Sequence, residues 1–366
     1  MAEQERPLRR GWTTGACATA AAKSAFHALL TGEFLDPVTI TLPRGQQPSF
    51  ALAVARREAD AATVGIIKDA GDDPDVTHGA LVLATVRLIA PGSGVRFRAG
   101  AVVGTVTRPG LPLPEGEPAI NPVPRRMIAD AIGEVAALTG APGDVEVEIS
   151  IPGGEALAAR TVNARLGIIG GLSVLGTTGI VIPYSCSAWI HSIHRGIDVA
   201  RAGGIEHVAG STGTTSEAAV QKLYGLAETA LIDMGDFVGG MLKYLRRHPI
   251  RRVTIAGGLG KMTKLAQGML DLHSKRGEVD LAFLAGLADT AGATPELSQR
   301  IIGSNTALEA FTEAKAAGIA LGDRVAELAL RTAAQVVAKS PIELEAILFD
   351  REGEIAGRAP FKRPAG

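Results

Sequence analysis

The sequence predicts an α+β domain over residues 1–200 followed by an α/β domain with a mainly parallel sheet over 201–366. Three observations carry that division. The first half groups short runs rich in Val, Ile and Thr, with few helical stretches among them. The second half alternates strand and helix patterns in a β–α–β–α–β–α rhythm, which favours a parallel sheet with ligands at its C-terminal edge. With 366 residues, each half can bury a core of its own.

Taken in order, TGACATAAAKSAFHALLTG (14–32) reads as a helix. Strands are expected at VTITL (38–42), FALAVA (50–55), ATVGII (62–67), ALVLATVRL (80–88), VRFRA (95–99) and AVVGTVT (101–107), punctuated by Pro or Gly. MIADAIGEVAAL (127–138) has apolar residues at helical spacing, and VEVEISI (145–151) alternates as a half-buried strand does. A helix containing SAWIHSIHRGIDVARAGG (187–204) closes the first domain. Then come a strand in HVAGSTG, a helix from Ser216, a strand at TALIDMG, a helix through FVGGMLKYLRR, a strand in RRVTIAGGLG and another helix. Helical segments run from about 279 to 338, and IELEAILFD (342–350) gives a last strand.

Composition narrows the function classes. Charged residues are 20% and apolar ones 46%, as in a globular chain. The net charge is -1 and no Lys/Arg run exceeds a pair, which argues against a nucleic-acid partner. Aromatic residues are only 4%, so stacking platforms are few. Cys17 and Cys186 lack metal-ligand spacing and fit a reducing cytoplasm. The stretch MAEQERPLRRGW has no apolar segment of signal-peptide type, and no long uninterrupted apolar run follows. The expectation is a soluble, cytoplasmic protein without membrane contact.

Three Gly-rich stretches are candidates for ligand contact: RLGIIGGLSVLGTTGI (165–180), AGSTGTTSE (209–217) and AGGLGKMTK (256–264). Glycine admits close backbone approach, and amides at a helix N-terminus favour anionic groups, although αβ turns also use glycine for steric reasons alone. Asp233, at the end of the strand after AGSTGTTSE, stands where nucleotide-type ligands have their ribose held; it could instead cap the helix beginning near Asp236. The residues expected on such a cofactor are Gly210, Ser211, Thr212, Gly213, Asp233, Gly257, Gly258 and Gly260.

TRPGLPLPEGEPAINPVPRRM (107–127) is a long connection stiffened by proline, flanked by Arg108, Arg125 and Arg126, with Arg9 and Arg10 ahead of the first helix. Arginine forks suit carboxylates, and scattered solvated charges are the structural alternative. His191 and His194 share a helix face near Cys186, but no fourth metal ligand has recognisable spacing. KDAGDDPDVTHG (68–79) crowds Asp69, Asp72, Asp73 and Asp75 between Lys68 and His78 without the ligand order of an EF-hand. Some of these acids can serve as turn and cap acceptors. Crowding should raise the pKa of at least one other.

GWTTGACATAAAKSA (11–25), KDAGDDPDVTHG (68–79), GTVTRPGLPLPEGEPAINPVPRRMI (104–128), RLGIIGGLSVLGTTGIV (165–181), GDFVGG (235–240) and AGGLGKMTKLAQG (256–268) together resemble the CbiD family. These are the cobalt-precorrin-5B C1-methyltransferases of anaerobic cobalamin biosynthesis. The resemblance spans nearly the whole chain. It implies an α+β domain followed by a Rossmann-like α/β domain. It also implies methyl transfer from S-adenosylmethionine to ring carbon C1 of a cobalt-bound corrin precursor. Cobalt would arrive only as part of that substrate, and the protein would need no metal ligands of its own. Thr13, Thr14, Lys68, Arg108, Arg125, Arg126, Thr177 and Thr178 are then expected on the substrate, and Asp69, Asp72 and Asp73 at the reaction. In IVIPYSCSAW (180–189) the chain departs from the family's pattern, with Ile182 where an acidic residue is expected. A homo-oligomer is compatible with this reading, and a non-catalytic tetrapyrrole carrier is the alternative. A nicotinamide oxidoreductase would want G-x-G-x-x-G in the first βα turn, which AGSTGTTSE does not give.

Overall fold

The computed structural model describes residues 7–363; residues 1–6 of MAEQERPLRRGW lie outside it. The chain divides into two compact units, Met1–Ser185 and Cys186–Gly366. The division falls before the helix at 186–202 rather than after it, because Ile193, Ile197 and Ala200 of that helix are buried in the core of the second unit.

In the first unit the order is β1 (Gly11–Trp12), α1 (Thr14–Thr31), β2 (Val38–Thr39), β3 (Ser49–Phe50), β4 (Val54–Arg57), β5 (Ala61–Ile67), β6 (Leu81–Leu88) and β7 (Val95–Ala99). It continues through β8 (Thr105–Val106), α2 (Pro122–Thr139), β9 (Val145–Ser150), α3 (Glu155–Ala158), β10 (Ile168–Ile169) and β11 (Ile180–Val181). A five-stranded sheet runs in the order β4-β5-β6-β9-β7, antiparallel except between β7 and β9. β6 and β9 alternate buried and half-buried side chains, as a sheet covered on one face requires. α1 lies against β5 and β6 and beside α2. Its run of Ala, Gly and Cys lets it approach so closely that Ala16 to Ala22 are all buried. Thr13 caps it, its Oγ1 accepting from Ala16 N at 3.2 Å, and Gly32 ends it in the left-handed conformation at φ 88°.

The expected strands at 62–67, 80–88, 95–99 and 145–151 are present within a residue of each end. VTITL and AVVGTVT are corrected to two-residue pairings: Val38–Thr39 with Ser49–Phe50, and Thr105–Val106 with Ile168–Ile169. FALAVA is divided between β3 and β4.

The second unit comprises α4 (Cys186–Ala202), β12 (His207–Ser211), α5 (Thr214–Tyr224), β13 (Leu231–Asp233), α6 (Val238–Arg247), β14 (Arg252–Gly258) and α7 (Leu259–Ala266). After these come α8 (Leu281–Thr290), α9 (Pro295–Ile302), α10 (Ala307–Ala316), α11 (Leu321–Val336), β15 (Glu343–Phe349) and β16 (Ile355–Lys362). The sheet order is β13-β12-β14-β15-β16. Three neighbouring pairs are parallel, while β16, unforeseen in the sequence, pairs antiparallel with β15. The sheet is therefore mixed. Val208, Val253, Ile255, Leu344 and Ala346 face a large apolar core shared with α6, α7 and α11, whereas Ala209, Ala256 and Ile347 lie under α5.

Candidate functional site

In the first unit, four motif stretches far apart in sequence meet around the N-termini of α1 and α2. Gly11 and Trp12 pair with Val181 and Ile180, Thr13 N donates to Gly179 O at 3.0 Å, and Gly15 N donates to Leu175 O at 3.0 Å. A Cβ on Gly15 would stand 2.7 Å from Pro124, so glycine lets the two helix starts meet. Asn121 N donates to Val174 O, and Thr107 N to Gly167 O. A Cβ on Gly167 would overlap the aliphatic stem of Arg108. The Pro-rich and Gly-rich segments thus brace each other.

The acidic loop is stitched into the same region. Arg9 forks onto Asp69, with one arm at 2.9 Å, and Asp69 also accepts from Gly71 N at 2.9 Å. The Arg9 hydrogen bond, aided by the Gly71 amide, holds the Asp69 pKa down at about 2. Asp72 accepts from Arg9 N at 2.6 Å, and Asp73 accepts from Tyr184 N at 2.8 Å, where Tyr184 sits at φ 55°. Lys68, 1% exposed, donates to Asp75 at 2.5 Å; Asp75 also accepts from Thr77 N and Oγ1. Burial alone would push Asp75 up, but the Lys68 ammonium and the Thr77 donors outweigh it and leave the pKa lowered. The expectation of a crowding-raised carboxylate is thus reversed at Asp69 and Asp75, because each acid has a cation or amide of its own.

The arginines divide. Arg125 is half-buried and turned inward: Nε donates to Ile120 O at 2.8 Å, and the other arm reaches Glu117 at 2.8 Å and Pro118 O at 3.0 Å, with Phe97 beneath at 5.1 Å. It holds the proline loop. Arg108 and Arg126 are exposed. Thr14 is buried, Thr177 is exposed, and Thr178 makes a local turn with Ile180 at 3.2 Å. Ile182 is 52% exposed.

In the second unit the chain leaves β12 to one side to form β13 and returns to the other side for β14. The strand order therefore reverses between β12 and β14, the position at whose C-terminal edge open α/β sheets bind ligands. Ser211, Thr212, Gly213, Gly257 and Gly258 end those two strands or follow them, and Asp233 is in register with Ser211. α5, α6 and α7 start at this edge, and Gly213, Phe237 and Gly258 give them no side-chain cap. The first amides of α5 and α7 therefore point at the edge without a side-chain oxygen, whereas in α6 Gly239 N donates to Leu270 O at 2.9 Å. Ser211 Oγ, 1% exposed, has no hydrogen-bond partner among the described residues. Asp233 does not cap α6, whose N-cap is Phe237.

The glycines here do different jobs. A Cβ on Gly210 would stand 2.3 Å from the Met241 sulfur, and one on Gly257 would stand 2.9 Å from Met262 and Thr212. These two serve packing. Gly213 and Gly258 have open space where a Cβ would be, and Gly260 meets only Val279 at 3.8 Å.

Lys261 was not foreseen. Its ammonium donates to Thr212 O at 2.9 Å and pairs with Asp236 at 3.1 Å, which ties the turns after β12, β13 and β14 together. The signal was present, as a lysine one residue after the last glycine in AGGLGKMTK.

Among the described residues no three His, Cys, Asp or Glu side chains are placed to hold a metal, and no helix is long and apolar enough to cross a membrane. His194 stacks on Tyr244, ring centroids 3.9 Å apart, rather than joining Cys186.

Comparison with known proteins matches residues 1–183 to the CbiD family model and residues 271–360 to the model of the CbiD C-terminal domain. A Bradyrhizobium sp. protein named cobalt-precorrin-5B C(1)-methyltransferase is 62% identical, covering 96% of this chain and 94% of its own. A protein of the same name from Agrobacterium fabrum is 60% identical, covering 100% and 97%. The solved cobalamin biosynthesis protein (cbiD) from Archaeoglobus fulgidus is 27% identical, covers 74% of this chain and 83% of its own, and has a TM-score of 0.40. The identity with the first two runs through both units. This chain belongs to the CbiD family.

Proposed function

We propose that this protein methylates C1 of cobalt-precorrin-5B with S-adenosylmethionine, giving cobalt-precorrin-6A in cobalamin biosynthesis. The observation that carries the activity is identity of 60% or more, across both units, with relatives named for it. Bound at the protein, the donor supplies an electrophilic sulfonium methyl in reach of an electron-rich ring carbon. The chain's own task is then to align and to balance charge.

The donor side is read at the C-terminal edge of the second unit's sheet, as a Rossmann-like nucleotide layer. Ser211 Oγ, buried without a partner among the described residues, is the fit test: a ligand oxygen or amine would satisfy it. The uncapped amides of α5 and α7 suit a carboxylate, and Asp233 suits a ribose hydroxyl pair. Asp233→Ala is expected to weaken S-adenosylhomocysteine binding by about 1–3 kcal/mol in calorimetry. Unchanged affinity would remove Asp233 from the donor site. Mass gain of one methyl on cobalt-precorrin-5B tests the activity itself, and binding of the precursor without turnover would favour a carrier.

The macrocycle is read on the first unit, where Arg108 and Arg126 keep their forks exposed beside the proline loop. Thr13, Thr14, Thr177 and Thr178 line the same convergence. Arg126→Lys and Arg108→Lys keep charge but lose the fork, and are expected to weaken precursor binding while donor binding stays intact. Arg125→Lys should instead lower stability by about 1–2 kcal/mol, because it loses bonds to Ile120 O and Pro118 O. Precursor titration and a urea midpoint separate the two classes. Equal precursor affinity in both exposed variants would sink the substrate role. Asp72 and Asp73, which accept from the main-chain amides of Arg9 and Tyr184, are the acids we read as acting on substrate by charge.

A further inference from the structure

Trp189 is one of two tryptophans in a chain with 4% aromatic residues, and it is 47% exposed. It stands in the first turn of α4. Its indole Nε1 donates to the main-chain oxygen of Asp233 at 3.1 Å. The ring lies over Gly235, where a Cβ would stand 3.2 Å from Cζ2, and Gly235 adopts φ 51°, a conformation that side-chain-bearing residues rarely take. Phe237 supports it at 6.4 Å, tilted by 53°. One edge of the indole is therefore pinned to the end of β13, and nearly half of the residue is left open.

A structural Trp would bury the remainder. Here the indole is tied to the acidic residue that closes β13, the second of the parallel strands in this mixed sheet, the place where a ribose is held. A nucleobase is bonded to that ribose, so an aromatic ring anchored on Asp233 stands next to where the base would follow. Asp233 would serve twice, through its main chain on the indole and through its side chain on the sugar. A ring held before the ligand arrives loses little freedom on binding.

We infer that Trp189 is the stacking wall for the adenine of the methyl donor, with Gly235 keeping the place of the ring clear. The inference rests on the donor reading given above. Its test uses S-adenosylhomocysteine and the full chain. In a Trp12→Phe background Trp189 is the sole indole, and its emission is expected to shift or quench as the ligand saturates. Trp189→Ala should weaken binding roughly five- to hundredfold, the range for loss of one base–aromatic stack, and Trp189→Phe should recover most of it. Unchanged emission at saturation, with Trp189→Leu binding at wild-type affinity while Asp233→Ala binds weakly, overturns the stacking role and leaves the donor edge standing. If Asp233→Ala and Trp189→Leu both bind as wild type does, the donor edge itself is wrong and the inference falls with it. Should Trp189→Ala fail to fold, the emission of the folded Trp12→Phe protein decides.

Discussion

Gly258→Val is expected to remove most S-adenosylhomocysteine affinity, by about 3 kcal/mol or roughly a hundredfold, while the protein stays folded. Gly258 has φ -73° and ψ 161°, a backbone any residue adopts, and nothing lies within 4 Å of where its Cβ would be. A Cβ there meets no protein atom and strains no dihedral. It projects into the space at the end of β14 beside the uncapped start of α7, where a bound donor would need to approach the main chain. The neighbouring glycines give the contrast. Gly210→Ala forces a Cβ to 2.3 Å from the Met241 sulfur, and Gly257→Ala puts one 2.9 Å from Met262. Both should lower the melting temperature through overpacking, by about 1–3 kcal/mol of stability. Calorimetry and a thermal melt on the three variants separate ligand space from packing space. Wild-type affinity in folded Gly258→Val would show that the donor does not bind along that turn.

Those glycines are indistinguishable in the sequence, where AGSTGTTSE and AGGLGKMTK differ little. Only the side chains that cross from α6 and α7 decide which glycine is crowded. The same reason limits the reading elsewhere. β6 and β9 were recovered because their alternation is a local signal, and β5 because it pairs with the next strand in the chain; β9's own partners, β6 and β7, lie far back in the sequence. VTITL has the same composition, but most of it serves as a connection; only Val38–Thr39 pairs, with Ser49–Phe50. β16 was missed because Gly357 and Pro360 break its pattern, and proline is tolerated in a strand at a sheet edge. Gly357 is needed there, since a Cβ would stand 2.1 Å from the Gly322 carbonyl carbon. In the first unit, residue types announced acids and arginines, and the fold assigned them. Arg125 and Arg126 are adjacent in sequence and opposite in use, one closing the proline loop and one exposed. Trp189 was signalled only by its rarity.

Asp75→Asn is expected to destabilise the first unit by about 3–5 kcal/mol, more than any other change in KDAGDDPDVTHG, because it leaves the Lys68 ammonium without its counter-charge. Lys68 is 1% exposed, and Asp75 lies 2.5 Å from it. The reciprocal change is milder. Lys68→Met leaves Asp75 with its two Thr77 donors and partial access to water, and should cost about 1–2 kcal/mol. Lys68→Met combined with Asp75→Asn should regain much of the loss, since no charge is then buried alone. The pH dependence has a definite sign. Asp75 and Asp69 both titrate below ordinary carboxylates in the folded chain. Their contribution is therefore complete above about pH 4 and fades as pH falls through their folded values, which for Asp69 means toward about 2. Asp69→Asn should lose part of the Arg9 fork and that acid dependence, with a small effect because the pair is half-exposed. Asp72→Asn and Asp73→Asn keep an oxygen for the amides of Arg9 and Tyr184, so stability should move by less than about 1 kcal/mol. Turnover is where they should differ from wild type, because what they lose is charge toward the substrate. Urea midpoints and methyl-transfer rates on the five single variants give both readings. If Asp69→Asn, Asp72→Asn and Asp73→Asn all turn over at the wild-type rate, the loop is a knot that holds the N-terminal arm and does no chemistry.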